Sequence, residues 1–386
     1  MRDAVIVATA RTPIGRAHKG SLANERPDDL GGFIVDAVLE KVPQIDPASV
    51  EDVVCGVANA GGKQNRNLGR LIGQIGGLPN TVPGTTVQRA CASSLQAIRI
   101  AAHAIRADEA DIYVAAGVES VSQSTPYDDS DGNPKFSDET HNEYIDNFYI
   151  PMGETAENVA DLYDVSRERM DEYAKLSQDR AVAAQNNGFF EREISPYPTA
   201  DGTIIATDDG PRDGVTLERL AQLRPVFRDD GRVTAGNACP LNDGAAATVV
   251  MSAERAAELG ITPLARVVAS AVSGLDPKIM GVGPIEAIAK VLERAGMKMS
   301  DIGTVELNEA FAAQVLPIAD ECGISITDQL NPHGGAIALG HPFGMTGARI
   351  MTTLINDLQT LDQQFGLETM CVGGGQGMAM IVERLS

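Results

Sequence analysis

Four segments carry side chains whose types and spacing suit covalent and proton-transfer chemistry. In Val87-Gln88-Arg89-Ala90-Cys91-Ala92-Ser93-Ser94-Leu95-Gln96-Ala97 a cysteine stands just before a helix, because Leu95, Ile98, Ala102 and Ile105 recur on one face. A thiol there meets unpaired N–H groups and the positive end of the helix dipole. Both favour a nucleophilic thiolate, and the same N–H groups can hold a carbonyl oxygen that becomes negative during attack. The segment is equally compatible with a small buried thiol. In Asn331-Pro332-His333-Gly334-Gly335-Ala336-Ile337-Ala338-Leu339-Gly340-His341-Pro342-Phe343-Gly344, His341 is bracketed by glycine and proline, ahead of a helix whose Met351, Leu354, Ile355 and Leu358 face a core. The glycines would let a substrate approach the backbone, and His341 can take a proton from a thiol or hydrogen-bond an acyl oxygen. His333 in the same loop reads as structural.

Thr369-Met370-Cys371-Val372-Gly373-Gly374-Gly375-Gln376-Gly377 puts a second cysteine at a strand end beside a glycine run. The run is not G-x-G-x-x-G, a strand follows it instead of a helix, and no G-x-x-x-x-G-K-[ST] occurs, so a nucleotide site is not indicated. A polarisable thiol beside a glycine-lined cavity suits proton shuttling instead. In Val305-Glu306-Leu307-Asn308-Glu309-Ala310-Phe311-Ala312 a strand breaks into a helix. Asn308 can donate or hold a water and Glu309 can orient a neighbour, although a turn asparagine is by itself ordinary.

These segments need a scaffold, and strand–helix alternation supplies one. A buried strand is expected at residues 3–10, a helix at 30–41, a strand at 50–56, a helix after Cys91 and a strand at 111–116. Between about 122 and 241 the pattern changes to Asp/Asn/Gly/Pro-rich turns around helical runs at 155–161 and 167–187, which reads as an insertion. Alternation resumes from 264 to the end, predicting α/β layers. The alternating parts repeat: Pro27 and Pro284 each precede a helix, strands end at Cys55 and Leu307, and residues 112–117 match 370–373. Offsets of about 250 residues indicate an internal duplication.

The chain has 386 residues, enough for two or three domains or a duplicated architecture with an insertion. With 53 acidic against 31 basic residues the net charge is −22, which makes nucleic acid and anionic membranes poor partners. Five scattered cysteines without a C-x-x-C argue against a disulfide framework or a structural zinc and for a reducing compartment. The first residues lack a signal-peptide core, no stretch of about 18 apolar residues occurs, and the final Glu-Arg-Leu-Ser is no targeting tail. A cytoplasmic location is expected.

Taken together, the four segments resemble the thiolase family, in its order and spacing and over essentially the whole chain. Ala10-Arg11-Thr12-Pro13-Ile14-Gly15, Thr234-Ala235-Gly236-Asn237 and Leu241-Asn242-Asp243-Gly244-Ala245-Ala246 add to the match. The resemblance implies an α/β fold of duplicated halves in a five-layer αβαβα arrangement. The first half would span 1–121, continued by about 242–264, the second 265–386, with a CoA-binding loop domain at 122–241. It also implies roles. Cys91 accepts the acyl group, His341 activates it and Cys371 moves the proton. Asn308 positions a water that forms one oxyanion hole with His341, and the N–H groups of Cys91 and Gly373 form the other. CoA would lie near Met152, Arg212, Arg219, Leu223, Ala238, Cys239, Met280 and Phe311. Two oxyanion sites and two proton-handling groups suffice, so CoA enters as substrate and no metal or other cofactor is expected. A homodimer or homotetramer that could join other β-oxidation enzymes is the implied assembly.

Two departures bear on subtype. Asn237-Ala238-Cys239-Pro240 stands where many members have Asn-Ala-Ser-Gly, removing a hydroxyl from the implied CoA contact. Ile150-Pro151-Met152-Gly153 stands where acetoacetyl-CoA-specific members often have His-Met-Gly, which together with 364–367 and 308–317 is similar to the degradative 3-ketoacyl-CoA thiolases. The alternatives are a condensing acetoacetyl-CoA thiolase and a non-catalytic acyl-CoA- or lipid-binding relative, the latter disfavoured by the intact Cys91, His341 and Cys371. Ketoacyl synthases pair their cysteine with two histidines, a different set.

Overall fold

Alternation of side chains along the strands decides the layering, because neighbouring residues of a strand face opposite sides of its sheet. The computed structural model describes residues 2–125, 132–137, 139–140 and 148–386. Residues 126–131, 138 and 141–147 of the expected 122–241 insertion lie outside the described residues. In chain order the elements are β1 (Ala4–Arg11), β2 (Gly15–Arg16), α1 (Pro27–Glu40), β3 (Asp52–Gly56), α2 (Leu68–Ile75), β4 (Gly84–Val87), α3 (Ser93–Arg106) and β5 (Ile112–Ser120). Then come α4 (Pro134–Ser137), α5 (Met152–Leu162), α6 (Arg167–Asn186), β6 (Tyr197–Pro198), β7 (Ile204–Ile205) and α7 (Leu217–Ala221). The remainder is β8 (Asn242–Ser252), α8 (Ala253–Glu258), β9 (Ala265–Gly274), α9 (Gly283–Ala295), β10 (Thr304–Leu307), α10 (Ala312–Cys322), α11 (Ala336–Leu339), α12 (Thr346–Thr360), β11 (Phe365–Val372) and β12 (Gln376–Arg384). The expected strands and helices are present with their ends shifted. Helix α1, for example, begins at Pro27 because a proline presets the backbone of a first turn.

The duplication is visible in the strand order. The first half runs β1-β8-β5-β3-β4 and the second β9-β12-β11-β10, followed by a parallel bridge from Val305 to Leu330 where β4 would be. Senses match as well: β3 is parallel to β5 and β10 to β11, while β5–β8 and β11–β12 are antiparallel. Pro27 and Pro284 open the equivalent helices α1 and α9. The two sheets join edge to edge where Val5 and Ile6 pair with Arg266 and Ala265.

Three apolar cores separate five layers. Val5, Val7 and Val53 pack outward on Leu30, Ile34 and Ile72 of α1 and α2. Their strand neighbours Ala4, Ile6 and Val54 pack inward on Leu95 and Ile98 of α3, in one core with Met351 and Leu354 of α12 and with Met370 and Val372 of the second sheet. Cys371 and Leu367 face the far side, against Ile288 of α9 and Val315 and Leu316 of α10. The middle layer is therefore α3 with α12, the helices that follow Cys91 and His341.

The segment between β5 and β8 is stapled to this frame by Arg11. Its fully buried guanidinium donates from Nε to Glu193 (2.8 Å) and from Nη1 and Nη2 to the two oxygens of Asp208 (2.8 and 3.0 Å). Among the described residues no helix is long and apolar enough to cross a membrane.

Candidate active site

The N-terminal ends of α3 and α12 touch. A Cβ on Gly347 would lie 2.3 Å from the Leu95 nitrogen, and the Ala348 N–H donates to Ser94 Oγ at 2.9 Å. The loops that precede these helices therefore converge, and the C-terminal ends of β10 and β11 deliver Asn308 and Cys371 to the same place. Glu119, buried at the end of β5, ties the loops down by accepting from the N–H groups of Ala58, Gly344 and Asn59 and from Gln64 Nε2. Buried Glu309 does the same for the stretch leading to His341, accepting from Tyr173, Ser177, Asn331 and the Ile337 N–H.

Cys91 follows Ala90, which holds a left-handed φ of 41° that a residue with a Cβ adopts only under constraint. Ser93 imposes it: Oγ accepts from the Arg89 N–H (2.9 Å) and donates to the Ala90 carbonyl (2.6 Å). The backbone N–H groups of Cys91 and Gly373 lie beside the Cys91 sulfur, where they favour its charged form. One side of Cys91 stays open to solvent. Burial of the sulfur nevertheless pushes the thiol up to about 12, with the Glu119 carboxylate adding to the rise and the two N–H groups opposing it. The favour that a helix end lends the thiolate is thus outweighed here by burial. Cys91 stands two residues ahead of the first helical residue, and desolvation outweighs the N–H groups.

His341 is buried, and its hydrogen bonds select one tautomer. Thr346 Oγ1 donates to the Pro342 carbonyl (2.8 Å), so it accepts from His341 Nδ1–H (2.6 Å). That leaves Nε2 unprotonated, where Asn308 Nδ2 donates to it at 3.3 Å. Burial lowers the imidazole to about 3, assisted by the charge of Arg349, so His341 is a neutral base. Its backbone is fixed by Asn242, whose Oδ1 accepts from the His341 N–H (2.9 Å) while Nδ2 donates to the Gly15 carbonyl (3.0 Å). The expectation that the loop glycines make room for substrate needs correction at three positions. A Cβ on Gly340 would strike Asn242, one on Gly335 would strike Glu309, and one on Gly334 would strike α6. His333 is structural, as expected, with Nδ1 2.5 Å from Asp357 and its ring stacked on Phe189 at 3.6 Å.

The structure thus brings Asn308 against His341, and Cys91 together with Gly373 and Cys371. Cys239 joins them, since the Cys91 and Cys239 sulfurs both act electrostatically on Cys371. Its N–H donates to the Ala310 carbonyl (3.0 Å), while Ala238 pairs with Phe311, whose ring meets Phe227 edge-on. Met152 Sδ lies 3.8 Å from the position a Gly373 Cβ would take. Met280 is buried, its sulfur accepting from Gln314 Nε2 at 3.7 Å. Arg212, Arg219 and Leu223 are exposed on the segment between β7 and β8. Sequence reasoning assigned no role to Asn242, Thr346 or Gln314. Asn242 was legible only as part of a motif, and the other two carried no local signal.

Against known proteins, residues 4–254 match the thiolase N-terminal domain and 261–384 the thiolase C-terminal domain. The chain belongs to the thiolase family. It is 44% identical to the β-ketoadipyl-CoA thiolase of Acinetobacter baylyi, over all of both chains. It is 42% identical to the 3-ketoacyl-CoA thiolase of Bacillus subtilis, over 99% of this chain and all of that one. The crystal structure of the Bacillus anthracis acetyl-CoA acetyltransferase superposes with a TM-score of 0.91 at 38% identity, covering 100% of this chain and 99% of that one. As a thiolase the chain is an acyltransferase. The five-layer fold, the joined sheets and the paired central helices belong to that family.

Proposed function

We propose that this thiolase is a 3-ketoacyl-CoA thiolase, cleaving the C2–C3 bond of a 3-ketoacyl-CoA through an acyl-Cys91 intermediate. What supports the reading is a Cys91 sulfur with two N–H donors beside it and a neutral His341 whose unprotonated Nε2 accepts from Asn308. Nε2 takes the Cys91 proton as the sulfur attacks the 3-keto carbon. Burial disfavours both the thiolate and the imidazolium, so proton transfer is coupled to attack, with the new cation beside the developing oxyanion. The Cys91 and Gly373 N–H groups hold that oxyanion, and Asn308, through a water, with His341 holds the enolate oxygen of the departing acetyl-CoA. Cys371 gives its proton to the enolate carbon. CoA, entering as substrate along the 122–241 domain, returns a proton to Cys371 as its sulfur takes the acyl group from Cys91, and the released Cys91 thiolate recovers its proton from His341. A cytoplasmic homodimer or homotetramer belongs to the same proposal.

Incubation with acetyl-CoA is expected to acetylate Cys91 and release CoA, with ping-pong kinetics and the label located by mass spectrometry after proteolysis. Label on Cys239 or Cys371 with Cys91 free would overturn the assignment. A condensing acetoacetyl-CoA enzyme is the second reading, favoured by the likeness to the Bacillus anthracis acetyl-CoA acetyltransferase. Pro151 at the mouth of α5 has an apolar ring and a fixed φ, and supports the broader-chain reading. Each additional buried methylene contributes about 0.8 kcal/mol, so 3-ketohexanoyl-CoA should be cleaved at least as efficiently as acetoacetyl-CoA. A steep fall in kcat/KM beyond four carbons would reverse that choice. Including 3-oxoadipyl-CoA in the panel tests the substrate named for the Acinetobacter relative.

A further inference from the structure

Gln314 lies in the first turn of α10, 2% exposed, with no part in the mechanism above. Cys371 Sγ donates to its Oε1 at 3.5 Å, and on the other side Nε2 donates to Met280 Sδ at 3.7 Å. Gly281 leaves the space the amide occupies, since a Cβ there would sit 2.4 Å from Cγ, Cδ and Nε2 of Gln314. The ionisable groups acting on Cys371 are the thiols of Cys91 and Cys239, and burial raises all three.

We propose that Gln314 is the positioning residue for Cys371, its amide oxygen holding the proton of the waiting thiol and its amide N–H turning to hold the thiolate once that proton has gone. This rests on the reading of Cys371 as the group that moves the α-proton. A thiol needs an acceptor and a thiolate needs a donor, and a carboxamide presents one of each at the two ends of a freely turning torsion. The half-turn gives up only a bond to a thioether, a weak acceptor. During cleavage the C2–C3 electron pair takes the Cys371 proton and leaves the thiolate facing Gln314. In the reverse sense that thiolate removes a methyl proton from acetyl-CoA, and Cys371 then exchanges it with solvent. Glutamate could accept but not donate, and methionine could do neither.

The test uses the full chain and follows deuterium loss from trideuteroacetyl-CoA to solvent across pH, with acetylation of Cys91 measured alongside. Gln314→Met should acetylate Cys91 at the wild-type rate but exchange about 10- to 100-fold more slowly, the loss expected of one hydrogen bond to a charged sulfur. Its rising pH limb should move up by about 1–2 units, the same loss written as a pKa shift. Gln314→Glu, nearly isosteric, should move the limb further because its carboxylate repels the thiolate. Wild-type exchange with an unmoved limb in both variants would reduce Gln314 to a space-filling residue. Parallel loss of Cys91 acetylation would show that it supports the whole site, which also overturns the proposal. Cys371→Ala is the separate control: normal exchange there would refute the reading of Cys371 itself.

Discussion

Gly340→Ala puts the positioning of His341 to the test. Gly340 has φ 115° and ψ 166°, a region essentially reserved for glycine, which costs another residue on the order of 1–3 kcal/mol. An added Cβ would also lie 2.6 Å from Cγ and Nδ2 of Asn242 and 2.7 Å from its Oδ1. Asn242 must then move, giving up its bonds to the His341 N–H and the Gly15 carbonyl, at about 1 kcal/mol each. The sum is about 3–5 kcal/mol in urea unfolding, from the strain and the two lost bonds. A shift of roughly 1 Å in His341 should lower the rate of Cys91 acetylation about 10²-fold. Asn242→Ala removes the overlap but not the strain. The double variant should therefore be less destabilised than the sum of the singles by about 1–2 kcal/mol. If Gly340→Ala unfolds within about 1 kcal/mol of the wild type, the threshold set by the strain cost alone, and acetylates Cys91 normally, the account of how His341 is held is wrong.

Two further outcomes are expected. His341 should remain a neutral Nδ1–H imidazole from pH 8 down to pH 5, because burial places its protonation near pH 3; nitrogen NMR of the labelled ring would show this, and a titration between pH 6 and 7 would contradict it. Arg11→Met should cost about 3–5 kcal/mol by leaving the carboxylates of Glu193 and Asp208 buried and unpaired, with proteolysis between β5 and β8 accelerating first; unchanged cleavage there would show that Arg11 is not the staple.

The local elements were legible in the sequence because their causes are local. Apolar spacing at Leu95, Ile98, Ala102 and Ile105 marks α3, and that at Met351, Leu354, Ile355 and Leu358 marks α12, since burial of one helical face repeats every three to four residues. The duplication also showed, through Pro27 and Pro284 and through the strand ends at Cys55 and Leu307, because each half folds by the same pattern. The candidate site residues Cys91, Asn308, His341 and Cys371 could be named from motif order.

Their states could not. Whether Cys91 rests as thiol or thiolate depends on how much protein surrounds the sulfur, which the spacing of residues around it does not record. The tautomer of His341 is set by a threonine five residues on, and its backbone by an asparagine 99 residues away. Gly340 is glycine because Asn242 occupies the space beside it, a fact no local pattern records. Gln314 meets Cys371 across 57 residues, and Arg11 meets Asp208 across 197. Apolar periodicity determines which face of an element is buried; which polar atoms then meet at the buried ends is decided only by tertiary packing, within each half as well as between them.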